Sequence, residues 1–113
     1  EELEVLSNYP QPSVRISVIF LGILLAPAVE EMIFRGLIQT IVVSYTHRPW
    51  FGILVASIIF VLFHESWEHW PALSVLSMGM GYAYEKSGSL WQAFFIHALF
   101  NGSTIVGYLA MSV

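Results

Sequence analysis

The reading of this chain turns on VRISVIFLGILLAPAVEEMIFRG, residues 14 to 36. Apart from Arg15, the run is apolar up to Val29. It then places Glu30, Glu31 and Arg35 within six positions, in a chain with only four basic and eight acidic side chains among 113 residues. Charged residues make up 11% of the sequence and hydrophobic ones 57%, with a mean hydropathy of +0.72. Soluble domains carry about 25% charged residues. So small a supply cannot coat a water-facing surface, and a bilayer is the expected solvent.

On the N-terminal side, residues 1 to 13 form a polar flank, with Pro10 and Pro12 marking a connector and Glu1, Glu2 and Glu4 supplying much of the net charge of −4. The chain begins at Glu1 rather than Met and ends among apolar residues, so it reads as the core of a longer membrane protein. Residues 14 to 113 are one core domain. Pro27 is expected to break or kink the first helix, with a second piece running from about Ala28 to Tyr45. The stretch THRP is a loop. The run WFGILVASIIFVLFH follows, and about fifteen helical residues rise only ~22 Å, short of a ~30 Å hydrocarbon core.

ESWEHWP then reads as an interfacial loop, with Trp67 and Trp70 suited to headgroup depth and Glu65, Glu68 and His69 beside them. In the next helix Ser77 and Gly81 form a small-xxx-small pair that allows close helix approach. SLWQAFFIHALFNGSTIVGYLAMSV is the longest apolar run, with His97 and Asn101 in its middle. The absence of alternation favours helices over strands. The fold class is therefore all-α, a multi-pass transmembrane helical bundle. Four basic residues leave no footprint for nucleic acid. The absence of cysteine excludes disulfides, thiolate metal sites and cysteine nucleophiles.

The polar residues inside these runs carry the functional reading. Glu31 and Arg35 stand four apart, on one helix face and in the favourable order for an ion pair. Glu30 is rotated by about 100° from Glu31, which leaves it free for another task. His97 and Asn101 share a face, as do Phe60 and His64. Acidic or basic groups at the centre of a spanning helix cost roughly 2.5–3.5 kcal/mol each on insertion scales, and retention of such a group is tied to a site. A free carboxylate, two imidazoles and an amide on three helical segments are the parts of water activation. The carboxylate or an imidazole takes the proton, and N–H donors meet the oxyanion. No serine or threonine stands at a spacing that pairs it obviously with a histidine, which ranks a covalent triad low. HESWEH is not a zincin motif, because its histidines stand five apart rather than four. A divalent ion such as zinc on Glu30, His64 and His97, with water in the fourth position, is an open alternative.

Three motifs in order resemble those of one family. EEMIFR is similar to E-E-x-x-x-R, FVLFH to F-x-x-x-H and HALFN to H-x-x-x-N. These are the signatures of the CAAX protease and bacteriocin-processing family of glutamate intramembrane proteases, which includes the type II CAAX prenyl endopeptidases and lysostaphin-resistance-like proteins. The resemblance covers about residues 14 to 112, including the approach GYAYEKSGSLWQAFFIHALFN.

The resemblance implies an intramembrane endopeptidase in which Glu30 activates water, His64 assists, and His97 and Asn101 stabilise the oxyanion. Glu31, Arg35 and Phe60 support the site. No cofactor is required by that mechanism. The implied partners are the lipid bilayer and a peptide or protein substrate, lipidated or otherwise membrane-bound. The implied location is a membrane crossed several times, the plasma membrane in a bacterium. The eukaryotic members remove the last three residues after a prenylated cysteine, and a bacterial member would cut another peptide or act in bacteriocin immunity. The rival reading is a non-catalytic self-immunity or scaffold protein, or a transporter fragment whose buried glutamate and histidine relay protons.

Overall fold

The computed structural model describes residues 2 to 111. Among them no strand occurs, and the architecture is all-α. A short helix, α1 (Glu2–Asn8), precedes the long α2 (Pro12–Thr46), which is followed by α3 (Pro49–Leu62), α4 (Trp70–Ser87) and α5 (Leu90–Met111). A single 3₁₀ turn, Trp67–His69, lies between α3 and α4.

Helix α2 runs without interruption through Pro27, so of the break or kink expected there a break does not occur. The chain accommodates proline by widening rather than by ending. Leu21–Leu25 winds as π-helix, and the N–H of Ala26 reaches back five residues to the Leu21 carbonyl. A second wide segment, Met32–Gln39, follows Glu31. There the Thr40 hydroxyl donates to the Arg35 carbonyl at 2.8 Å. Such π segments inside α-helices concentrate at functional sites, where they re-aim side chains.

Side-chain contacts define the directions of the helices. Arg35 meets Ser77, Gln39 meets Gly81 and Thr40 meets Tyr84, so α2 and α4 run parallel. His97 meets Glu30 and Glu31, while Asn101 meets Gly22, so α5 runs antiparallel to α2. Gly81 packs tightly against side chains of both α2 and α3. A Cβ there would sit 2.8 Å from Gln39 Oε1 and 3.0 Å from Ile53 Cγ2, so the small-residue pair Ser77 and Gly81 does permit close approach.

Two hydrophobic clusters follow from this layout. One, built on Phe34, Phe60, Val61, Leu73, Met80 and Ala93, joins the second half of α2 to the other long helices. The other, Leu6, Val18 and Ile105, ties α1 to the first half of α2 and the end of α5. The flank read as a connector thus contributes a helix with Leu6 fully buried. Arg15 holds that helix by donating to the Leu6 carbonyl at 3.2 Å.

Helix α3 ends level with the middle of α2, because Phe60 packs edge-on to Phe34 at 5.2 Å and Phe63 lies 6.0 Å from the same ring. The turn carrying His64 therefore sits beside the centre of α2, not beside its end. Helices α2 and α5 are long and apolar enough to cross a membrane by length and composition, with mean hydropathies of 2.0 and 1.4 over their most apolar stretches. Only 17% of either stretch is buried, and the outward residues include Phe20, Leu24, Leu37, Phe95, Leu99 and Val106. A helix at the centre of a water-soluble core would bury that surface.

Candidate active site

The adjacent glutamates of α2 face different surroundings. Glu31 is buried, with its side chain 1% exposed, whereas Glu30 is 37% exposed. The ion pair expected from the i, i+4 spacing is present: Arg35 Nη1 donates to Glu31 Oε2 at 3.2 Å. The arginine is committed further. Its Nη2 donates to the Ser77 carbonyl at 2.5 Å and to the Ser77 hydroxyl, and its guanidinium lies 5.4 Å from the centroid of the Phe60 ring. One helical turn on, Gln39 Nε2 donates to the Gly81 carbonyl at 3.1 Å and to Glu85 Oε1 at 2.9 Å. Glu31, Arg35 and Gln39 therefore form one polar stripe at four-residue spacing. Arg35 and Gln39 dock it on Ser77, Gly81 and Glu85, a matching stripe on α4.

His97, 3% exposed, stands between the two glutamates. Its Nδ1 lies 2.8 Å from Glu31 Oε2, and its Nε2 lies 3.2 Å from Glu30 Oε2. Glu30 is thus free of Arg35, as its rotation predicted, but it is not alone. A neutral imidazole has one N–H and one lone pair. Two carboxylate contacts therefore require one further proton, on the second ring nitrogen or on a carboxyl group. The Oε1 atom of Glu31 is buried with no hydrogen-bond partner among the described residues.

His64 is oriented by its own helix end. Its Nδ1 lies 2.8 Å from the Phe60 carbonyl. Because a carbonyl only accepts, Nδ1 carries the proton and the neutral ring keeps its lone pair on Nε2. The backbone of the same turn is held by Trp70, whose Nε1 donates to the His64 carbonyl at 3.1 Å. Phe60 separates the two imidazoles, 4.7 Å from the centroid of His64 and 5.7 Å from that of His97. Asn101, one turn beyond His97, donates from Nδ2 to the Gly22 carbonyl at 3.0 Å.

A cavity of about 550 Å³ brings these groups together. Glu30, Phe60, His64, His97 and Asn101 all line it. Glu68 and His69 of the turn contribute to its rim, and Leu73, Leu76, Phe100 and Ile105 supply apolar wall. Leu3 of α1 reaches it as well. Glu31 and Arg35 do not line it; they lie behind His97. A metal on Glu30, His64 and His97 does not fit this arrangement. His97 offers both nitrogens to carboxylates, and no group of three histidines, aspartates or glutamates is placed to hold an ion among the described residues.

Three contributors escaped the sequence reading. Gln39 extends the Glu31–Arg35 stripe, and its spacing of four was the available signal. Trp70 was read as a headgroup anchor, although its indole is an obligatory donor once half-buried. The third is the pairing of Glu30 with His97, which no sequence spacing encodes, since 67 positions separate them.

The family model for the Rce1-like type II CAAX prenyl endopeptidase domain matches residues 12–103. No curated protein and no solved structure matches the chain. The matched region begins with α2 and extends just past Asn101, so it holds Glu30, His64, His97 and Asn101. Spanning most of the sequence, that match places this protein in the Rce1-like family of type II CAAX prenyl endopeptidases, a membrane-associated peptidase family.

Proposed function

We propose that this chain is the catalytic core of a multi-pass membrane endopeptidase that hydrolyses a peptide bond by direct attack of water, with no acyl-enzyme. The observation that carries the reading is the unequal treatment of two neighbouring carboxylates. Glu31 is buried against Arg35 and His97, while Glu30 is open to a cavity that His64 also lines.

In this mechanism Glu30, assisted by His64 Nε2, draws a proton from a water in the cavity as its oxygen bonds to the peptide carbonyl carbon. The carbonyl oxygen becomes an oxyanion. His97 Nε2–H donates to Glu30 in the resting site. Once Glu30 has taken the proton it is a weaker acceptor, and the same N–H is released to the oxyanion, joined by an N–H of Asn101. The C–N bond then breaks, the proton held by Glu30 passes to the leaving amine, and a carboxylic acid and a free amine result, with Glu30 returned to its carboxylate. The acid then gives its proton to the amine or to solvent. Behind this, Arg35 fixes Glu31, Glu31 fixes His97, and Phe60 keeps the imidazoles apart.

The substrate class is a membrane-proximal peptide segment, consistent with the apolar wall of Leu73, Leu76, Phe100 and Ile105. A proton-relay role is less well supported. The hydrogen-bonded chain from Glu30 through His97 and Glu31 ends on Arg35 and Ser77, both buried. The test compares peptides released from membranes holding the intact protein with those holding Glu30→Gln. Release that depends on Glu30, at equal protein level, is expected. Identical release from both would remove Glu30 from the chemistry.

A further inference from the structure

Asn101 donates its hydrogen bond to an unexpected acceptor, the Gly22 carbonyl in the interior of α2. Carbonyls inside a helix are ordinarily occupied by the helix's own N–H groups. The local winding explains this one. In the widened turn Leu21–Leu25, Ala26 N–H bonds the Leu21 carbonyl five residues back. Continuing in that register, the donor for Gly22 is the N–H of residue 27. Residue 27 is proline, buried in the helix and without an N–H. The Gly22 carbonyl is thereby left to the side-chain amide that approaches from α5.

We propose that Pro27 is a positioning residue for Asn101: by withholding a backbone N–H from the Gly22 carbonyl, it reserves that carbonyl to hold the Asn101 amide at the cavity wall. The bond uses one Nδ2 hydrogen, so the groups Asn101 can present to the cavity are its second N–H and its Oδ1. Pro27 lies one turn before Glu30 and Glu31, so the same widened turn that accommodates the proline also sets where the glutamates point. The effect on turnover rests on the hydrolase reading given above; the exchange of hydrogen-bond donors does not.

The test is a double-mutant cycle with Pro27→Ala and Asn101→Ala in the whole protein, in lipid or mild detergent. The alanine of Pro27→Ala supplies the missing N–H and suits a helix interior better than proline. Pro27→Ala is therefore expected to keep or raise the unfolding midpoint while lowering kcat by about 10- to 100-fold, the scale of a displaced catalytic group, with KM nearly unchanged. Asn101→Ala should lower the midpoint in the parent and by less than half as much in the Pro27→Ala background, where Gly22 already has a donor. Equal shifts in both backgrounds overturn the proposal, as does an unaltered kcat in Pro27→Ala. Should Pro27→Ala fold poorly, exchange of the Asn101 side-chain amide protons decides in the parent: slow exchange supports the bond and free exchange overturns it. If the parent cleaves nothing, the stability cycle still decides the donor exchange, and it is the hydrolase reading that has failed.

Discussion

Glu30 and Glu31 are neighbours in sequence and belong to opposite parts of the molecule. Glu31 opens the seam between α2 and α4, where Arg35, Gln39, Ser77, Gly81 and Glu85 bind one another away from the cavity. Glu30 opens the cavity between α2, α5 and the His64 turn, where polar groups line space instead of filling it. The seam meets the cost of burying charge by pairing it. The cavity meets the same cost by exposure, leaving the carboxylate of Glu30 beside open space that His64 also lines. His97 belongs to both, one ring nitrogen on each glutamate. A motif with two identical acids thus has one that builds and one that is proposed to react.

The same substitution at the two acids tests this division hardest. Glu30→Gln is expected to lower kcat by about 10²- to 10⁴-fold, the usual contribution of a general base, while the unfolding midpoint in detergent stays close to that of the parent. Glu31→Gln is expected to cost roughly 3–5 kcal/mol of stability, because it strands the buried Arg35 charge; denaturant unfolding measures it. Equal losses of stability from both variants would erase the distinction. Gly81→Ala probes the seam alone. Its Cβ would press on Gln39 and Ile53, and about 1–3 kcal/mol of stability should be lost, with KM unchanged. The smallest effect is expected from Trp70→Phe, on the cavity side. Removing the donor to the His64 carbonyl while keeping a ring should cost about 0.5–1.5 kcal/mol and lower kcat more than it raises KM. A Trp70→Phe protein with parental kcat would show that the turn needs no such tether.

Much of this was legible before any coordinates. The i, i+4 spacing of Glu31 and Arg35 announced their ion pair, because helix geometry alone brings such residues together. The rotation of Glu30 away from Arg35 followed from the same geometry. The break allowed for at Pro27 is absent for a physical reason: proline disrupts an α-helix by lacking an N–H and by crowding the preceding turn, and a widened turn lets the helix continue. The polar flank hid α1, since a seven-residue helix has little stability alone and depends here on burying Leu6 against Val18 and Ile105.

What amino-acid order dictates is local or compositional: helices throughout, a surface too apolar for water, the face on which each polar side chain emerges, and the motifs that mark the family. These follow from backbone periodicity and transfer free energies, which act residue by residue. It took the packed helices to settle which acid His97 meets through which nitrogen, that His64 turns Nδ1 to the Phe60 carbonyl, and that Asn101 reaches the Gly22 carbonyl. Those outcomes depend on how whole helices register against one another. Register is set by close packing and by the pairing of buried polar atoms across long sequence separations.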